Sequence, residues 1–480
     1  MAEKSLKGKA VSGFIWSLAD KAGQQGMAFV VGIVLARLLS VEDYGLVAVL
    51  AIFTAVANIV QESGFSAALI QAKEVSQKDY AAVFYFNILV STTIYVIYFF
   101  CSPWIAFFYE KEILTDLSRF IFLSFLFNAW GIVQHVQLMK SMNFKQITKI
   151  NFFSVVFSCI VALALGVGGY GVWALAAQLV ALNFMKALLL WCFGSWRPLF
   201  YFDWEPIRRY LKFSIKLSLA TLSATLVGNL LPLVLGKFYS IVKVGFYGQA
   251  NRYYNFTYEA MTSPINAVSF PMLAEAHNDG RDLKPIFRKT IRFAAFLNFP
   301  VMFGIIAVAR SFIVGVLGEK WEPSVELLIL FCVYGIFAPF HSLFINLLKT
   351  LKISGKVLYM EILRELLVLV SIIVCFRWDI YYLLLGVTVA NFVYYVCYAR
   401  VAGKKIHYTL WEHFKDIGPY FIITFVMALI VAGLYWLPVS LTVLLFIQIA
   451  TGGVFYISVN WLLRSSIQQE IWKMVKRFFA

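Results

Sequence analysis

The stretch GFYGQANRYYNFTYEAMTSPINAVSFP, residues 245–271, decides how this chain is interpreted. It is long enough to cross a lipid bilayer as a helix, yet it is unusually polar for such a helix. Arg252 and Glu259 are seven residues apart and therefore share one face, with Asn251 and Asn255 beside it. A charged side chain at the centre of a bilayer costs about 2.5–3.5 kcal/mol on insertion scales, so it normally faces a partner or a watery cavity.

Two prolines interrupt the same stretch. Pro264 and Pro271 each remove a backbone hydrogen bond, and neighbouring helices or water must then satisfy the freed carbonyls. We therefore expect this helix to line a polar cavity inside a membrane transporter. The alternative, which the sequence leaves open, is that Arg252 and Glu259 form a structural ion pair that joins two helices.

The composition is that of a membrane protein. The 480 residues are 61% hydrophobic and 14% charged, with a mean hydropathy of +0.79. A soluble protein of this size does not have that balance, so we predict an all-α polytopic membrane protein. The six cysteines lie in apolar runs without paired spacing, which favours packed side chains over disulfides or metal ligands.

Alternating apolar and polar segments predict about fourteen transmembrane helices. They are expected near residues 14–39, 44–63, 80–108, 117–138, 150–168, 171–196, 211–236, 244–272, 288–317, 323–348, 357–376, 380–400, 417–437 and 440–463.

The distribution of basic residues supports this count. If the N-terminus is cytoplasmic, most of the 41 lysines and arginines fall in the inner loops and tails. The outer side holds only Arg37, Lys111, Arg119, Lys237, Lys243, Lys320 and Arg377. This imbalance follows the positive-inside rule, so we expect both termini in the cytoplasm. It also explains the net charge of +16 without a nucleic-acid partner.

The chain contains a short internal repeat. LARLLSVEDYGLVAV at 35–49 resembles LGKFYSIVKVGFYGQ at 235–249, which aligns Arg37 with Lys237 and Gly45 with Gly245. Each copy ends one predicted span and begins the next, so the two halves are expected to be parallel repeats. Transporters with such repeats bind substrate between the halves. A chance match is the alternative.

Charged side chains inside the predicted spans are the candidates for function. They are Asp20, Lys21, Glu62, Lys186, Lys216, Arg252, Glu259, Arg310, Glu361, Arg364 and Glu365. Glu361 and Glu365 share a helix face, and Arg364 lies three residues from Glu361. The basic members suit a substrate that bears phosphate or carboxylate. The alternative is snorkelling to an interface, most readily for Glu62 and Lys216.

We therefore assign two sets of candidate residues. The predicted substrate-binding residues are Arg252, Asn251, Asn255, Glu259, Arg310, Arg364 and Lys186. The candidate coupling residues are Asp20, Glu361 and Glu365.

The sequence carries no motif for nucleotide hydrolysis or metal binding. No Walker A sequence supports ATP hydrolysis, and no HExxH or clustered Cys/His pattern offers a metal site. We expect no cofactor and no enzymatic activity. His135 and His341 fall in predicted spans, where a lone histidine is more often packed than catalytic.

Three segments carry a family resemblance. SGFIWSLADKAGQQGMAFVVGIVLARLLSVEDYGLVAV near the N-terminus, ESGFSAALIQ at 62–71 and LGEKWEPSVELLILFC at 317–332 resemble the Wzx-type polysaccharide flippases, especially the WzxC-like exporters. The resemblance extends over nearly the whole chain. Their superfamily also holds multidrug exporters and the lipid II flippase.

The resemblance implies a fold and a task. The fold is two pseudo-symmetric six-helix lobes and two C-terminal helices, expected at residues 1–209, 210–405 and 406–480. The task is to move an undecaprenyl-pyrophosphate-linked oligosaccharide across the bacterial inner membrane by alternating access, with a polysaccharide polymerase and co-polymerase as possible partners. In the multidrug exporters, acidic residues of the first and seventh helices couple to cations. Only Asp20 could match, because the equivalent position in the repeat is Ala220.

Two other functions stay open. A cation-coupled multidrug exporter would have an acidic rather than a basic cavity. A membrane glycosyltransferase or polymerase would need a sizeable outer loop or catalytic carboxylates at a membrane face, and the predicted loops are short.

Overall fold

The structure is a computed structural model that describes residues 2–62, 65–72, 75–211, 214–215, 222, 225, 230–465, 467–470 and 472. Lys216, Ala220 and most of the predicted span 211–236 lie outside the described residues, as does the side chain of Glu62. The described part of the chain is helical and holds no strand.

Sixteen α-helices have described boundaries, and residues 204–211 are helical as well. The first eight are α1 (Ala2–Leu38), α2 (Val41–Glu62), α3 (Phe65–Gln71), α4 (Gln77–Tyr109), α5 (Ile113–Lys140), α6 (Phe144–Val167), α7 (Val172–Phe193) and α8 (Leu230–Phe238). The next eight are α9 (Ile241–Asn278), α10 (Leu283–Phe312), α11 (Ser324–Gly335), α12 (Ala338–Thr350), α13 (Ser354–Cys375), α14 (Ile380–Gly403), α15 (Leu410–Gly433) and α16 (Leu441–Leu462).

Ten helical segments of the described chain are long and apolar enough to cross a membrane. The prediction of an all-α, multi-pass membrane protein is therefore confirmed, whereas the count of fourteen spans is not. Three further long helices, α1, α9 and α13, do not reach this threshold. α9 and α13 carry the polar and charged residues that the sequence singled out, which lower their hydropathy.

Polar side chains define where helices begin. Ser76 caps α4 by accepting a hydrogen bond from the Asp79 amide, and Asp79 bonds back to the Ser76 amide at 2.8 Å. Thr409 and Glu412 form the same reciprocal pair at the start of α15. Such capping boxes satisfy helix amides that have no partner within the helix.

By its internal contacts the chain divides into two units, residues 1–245 and 246–480. In the first unit α5 packs against α4 and α7, and α6 packs against α1 and α7. In the second unit α10 is the central helix, since it packs against α11, α12, α15 and α16. Phe287, Ile291 and Phe299 are fully buried on α10. The lobe boundaries near residues 210 and 406 stay predictions.

The internal repeat reappears in the helix boundaries and in one helix crossing. α1 ends at Leu38 and α2 begins at Val41, and α8 and α9 have the same boundaries 200 residues later. A Cβ atom on Gly45 would lie 2.1 Å from the backbone oxygen of Ile241. A Cβ on Gly245 would lie 2.2 Å from the backbone oxygen of Val41. The two contacts are reciprocal, as a local two-fold relation between α2 and the start of α9 requires.

Candidate functional site

The polar stretch that opened the sequence analysis lies within α9. The helix continues through Pro264 and Pro271. Between them, the Asn266 side chain accepts hydrogen bonds from Ser342 at 2.8 Å and from Asn346 at 3.0 Å, both on α12. These side-chain bonds hold α9 against α12 in the region where the prolines interrupt its backbone ladder.

The predicted substrate-binding residues of α9 lie on its more exposed face. Asn255 donates a hydrogen bond to Asn251 at 3.2 Å, and Asn255 and Glu259 are exposed within the structure. The intervening Tyr254 is buried and stacks on Phe331 with ring centroids 5.4 Å apart. α9 therefore has two different faces: an aromatic face that is packed, and a polar face that carries Arg252.

A second group of predicted residues forms an ion cluster on α13. Arg364 lies 3.4 Å from a Glu361 oxygen and also bonds Glu365. Tyr258 of α9 is within electrostatic reach of both Arg364 and Glu259. Tyr258 thus lies near the α13 cluster within the second unit.

Two residues that sequence reasoning did not assign complete this cluster. The Tyr394 hydroxyl of α14 donates to Glu361 at 3.1 Å, and His341 Nε2 of α12 lies 2.9 Å from that hydroxyl. The sequence offers no signal for this site, because a lone histidine in an apolar run looks like any packed side chain. Only the packing of α12, α13 and α14 reveals it.

Lys186 lies in a polar cavity of the first unit. The cavity has a volume of about 230 Å³ and is lined by residues of α3, α5 and α7. Its polar lining includes Lys186, His135, Asn128 and Asn183. Asn128 also donates to Gln61 at 3.1 Å, which ties the cavity wall to α2. The cavity combines a cation with amide groups, a set that suits an anionic or sugar ligand.

Asp20 and Arg310 lie apart from these groups and have partners. Asp20 accepts hydrogen bonds from Gln24 at 2.8 Å and from Asn151 at 3.0 Å, which connects α1 to α6. Arg310, near the end of α10, lies 2.6 Å from Glu322, and both side chains are half exposed. Glu322 therefore neutralises the charge of Arg310, which makes Arg310 a weaker candidate for binding an anionic substrate.

A further ion network joins α10 to α15. Asp416, whose side chain is only 1% exposed, accepts two hydrogen bonds of 2.8 Å from Arg288 and two from Arg292, at 2.9 and 2.5 Å. Tyr408 donates to the same carboxylate at 2.9 Å. Burial raises the pKa of the Tyr408 phenol, and the charge of Asp416 raises it further, so the hydroxyl stays protonated and keeps this bond. This network joins α15 to α10 around a buried carboxylate, while both arginines stay partly exposed.

Within the described part of the chain, no group of three His, Cys, Asp or Glu residues could hold a metal ion. The described cysteines are all free. The candidate sites described above are built from charged, amide, imidazole and phenol groups.

Comparisons with known proteins address the fold and the family. A family model described as "Polysaccharide biosynthesis protein" matches residues 34–326. The chain is 28% identical over 293 residues to the teichuronic acid biosynthesis protein TuaB of Bacillus subtilis, a match that spans 59% of each chain. It is 28% identical to the lipopolysaccharide biosynthesis protein WzxC of Escherichia coli, over 69% of this chain and 68% of that one. The succinoglycan biosynthesis transport protein ExoT of Rhizobium meliloti is 24% identical over 72% of this chain and 69% of its own.

Solved structures share the fold. The lipid II flippase MurJ in an inward closed conformation superposes with a TM-score of 0.73, covering 95% of this chain and 100% of that one at 14% identity. An inward-facing multidrug resistance transporter of the MATE family gives a TM-score of 0.62, covering 80% of this chain and 94% of its own at 14% identity. At such identities the likeness concerns the fold alone.

Proposed function

The chain belongs to the polysaccharide biosynthesis protein family whose model it matches, and from this premise we propose that it is a flippase for an undecaprenyl-pyrophosphate-linked oligosaccharide. The observation that carries the proposal is the combination of that family with a MurJ-like fold over nearly the whole chain. Three relatives are named for the biosynthesis or transport of different polysaccharides, which supports a polysaccharide precursor as the substrate; its lipid link is part of the proposal.

The physical problem of such a substrate is its head group. The polyprenyl chain can stay in the bilayer, but a pyrophosphate and several sugars cannot cross the hydrocarbon region unsolvated. A polar path with cations offsets the phosphate charge, and amide and aromatic side chains meet the sugars. Lys186 with its amide neighbours, and Arg252 with Asn251 and Asn255, are described groups that fit these roles.

We further propose the setting in which this activity takes place. The protein lies in the bacterial inner membrane with both termini in the cytoplasm, and it exposes its polar path alternately to the two sides. A polymerase and a co-polymerase would then use the flipped repeat unit.

The multidrug exporter is the second candidate, because a MATE transporter shares the fold. A deletion strain separates the two functions. For a flippase, deletion abolishes the surface polysaccharide and leaves drug sensitivity unchanged; for an exporter, deletion raises sensitivity to amphipathic drugs and leaves the polysaccharide intact.

A matched pair of variants then tests the site. Lys186→Gln removes the cation of the first-unit cavity while keeping an amide, and it should reduce polysaccharide export at normal protein levels. Lys349→Gln changes an exposed lysine near the end of α12 and should export like the wild type. Equal export by both variants would remove Lys186 from the substrate path.

A further inference from the structure

The cluster around His341 lies at a break in a predicted span. The segment from Ser324 to Thr350 is apolar enough to cross a membrane, but its helix is interrupted between α11 and α12. The side chain of Asn298 on α10 donates to the freed carbonyls of Gly335 and Ile336, at 3.2 and 2.9 Å. His341 follows one turn after this break, so it lies in the interior of the segment and away from both ends.

The formal charges of this cluster do not balance when His341 is neutral. Glu361 and Glu365 contribute two negative charges and Arg364 one positive charge. His341 Nε2 lies 3.6 Å from a Glu361 oxygen, so a proton on the imidazole would form an ion pair with Glu361 and bring the sum to zero. A net charge within a membrane-spanning segment is costly, which makes a mobile positive charge favourable at this position.

The hydrogen bonds indicate where that proton enters. Tyr394 donates its only hydroxyl proton to Glu361, so its oxygen accepts from His341 Nε2, which must carry a hydrogen. The nitrogen at which His341 gains or loses a proton is therefore Nδ1. Tyr394 holds the ring at 4.9 Å between centroids, and Tyr398 packs edge-on at 5.1 Å.

Among the described residues, the bases around this proton are the Glu361 and Glu365 carboxylates and, beyond Tyr395, His413 of α15, which is hydrogen-bonded to that tyrosine. The titratable groups that face His341 or its partners are Glu361, Arg364 and Glu365 on α13, Tyr394, Tyr395 and Tyr398 on α14, Tyr334 on α11, and Tyr258 on α9. Apart from the α13 residues these are all phenols. His341 and Tyr394 also line a cavity of about 500 Å³ between α10, α11–α12, α14 and α15, whose other lining residues are mostly apolar.

We propose that His341 and Glu361 form a proton-binding site that couples proton movement to substrate flipping. In one state of the transport cycle the imidazole is protonated and paired with Glu361; in the other the proton has left through Nδ1. This inference rests on the proposed flippase function and assigns its coupling ion. The sequence predicts that His341 is merely packed, whereas this proposal gives it a functional role. The acidic residue that takes part in proton coupling is then Glu361 rather than Asp20.

The test uses the full chain in proteoliposomes. The probe is an undecaprenyl-pyrophosphate oligosaccharide with a fluorophore on its sugar, and external dithionite reports the fraction in the outer leaflet. A gradient of one pH unit is worth about 1.4 kcal/mol per proton, which is tenfold in an equilibrium ratio. In the wild type, the leaflet ratio of the probe should shift by up to about tenfold per pH unit.

The variants separate a proton site from a structural hydrogen bond. His341→Gln keeps a polar group beside Tyr394 but cannot be protonated, and Glu361→Gln keeps the shape but not the charge; in both, the leaflet ratio should no longer follow the gradient. His277→Gln alters an exposed histidine at the end of α9 and should behave like the wild type. If His341→Gln does not accumulate in the membrane, Glu361→Gln decides the outcome.

Pyranine trapped inside the liposomes reports internal pH. It measures proton movement separately from flipping of the probe, so the two proposals can fail independently. A wild type that flips the probe independently of the gradient, or a His341→Gln protein that keeps the full shift, would overturn the proton site and leave the flippase intact. If the wild type does not flip the probe at all, the proposed function fails. The proton site would then stand only if the wild type still carries a proton flux that His341→Gln lacks.

Discussion

Replacing Gly45 by alanine should destabilise the protein, because the added methyl group meets backbone rather than a side chain. Its Cβ would lie 2.1 Å from the Ile241 carbonyl oxygen, whereas carbon and oxygen atoms normally stay more than about 3 Å apart. α2 and α9 would therefore have to separate by about 1 Å at this crossing. Overpacking of this kind costs about 1–3 kcal/mol, and the upper part of that range applies because a helix backbone cannot change rotamer.

The higher helix propensity of alanine offsets part of this cost, by about 1 kcal/mol. We expect a net loss of roughly 1–2 kcal/mol for Gly45→Ala and a similar loss for Gly245→Ala. Both substitutions push the same two helices apart, so the double variant should lose less than the sum of the single losses.

The assay is thermal unfolding of the purified protein in detergent, with Gly453→Ala as the matched control. Gly453 lies within α16, and a Cβ atom there would have no neighbour within 4 Å. The control should be as stable as the wild type or slightly more stable. Single variants as stable as this control, or a double variant whose loss equals the sum, would refute the reciprocal crossing.

Three further predictions follow from the topology and from the ion networks. Reporter fusions should indicate the outer side at Gly168, Lys320 and Pro438, and the cytoplasm at Gln146, Asp279 and Lys404; reversal at two or more sites would contradict the topology. Arg252→Ala should reach normal membrane levels but fail to export glycan, with partial activity for Arg252→Lys, whereas poor expression rescued by Glu259→Gln would favour a structural pair. Asp416→Asn should lower the unfolding temperature, because it removes the carboxylate shared by two arginines. The expected loss of unfolding free energy is about 3 kcal/mol, the lower end of the range for breaking a buried ion pair, because both arginines are partly exposed. Unchanged unfolding of this variant would show that the network does not anchor α15.

The local pattern of apolar and polar residues was sufficient to predict much of the fold. Apolar stretches located the long helices to within a few residues at most ends, as in α4 (Gln77–Tyr109), where the sequence predicts a span at 80–108. The repeat placed the boundaries of α8 and α9 in register with those of α1 and α2. α3 and the break between α11 and α12 were missed, because hydropathy over a long window does not distinguish a continuous helix from an interrupted one.

The candidate sites were less predictable, since charge inside a span indicates function but not partners. Glu361, Arg364 and Glu365 were grouped correctly because helical spacing alone brings them together. His341 and Tyr394 come from other helices, and only tertiary packing brings them to Glu361. Arg310 lies within the candidate span Leu283–Leu317, and its ion pair with Glu322 could likewise be seen only in the structure.

The location of the lipid-linked oligosaccharide tests the central claim most directly. In cells depleted of this protein, the intermediate should accumulate and should be protected from a glycosidase added to intact spheroplasts, because its sugars remain on the inner face. Restoring the protein should make the intermediate accessible to the enzyme. Equal accessibility with and without the protein would contradict a flippase.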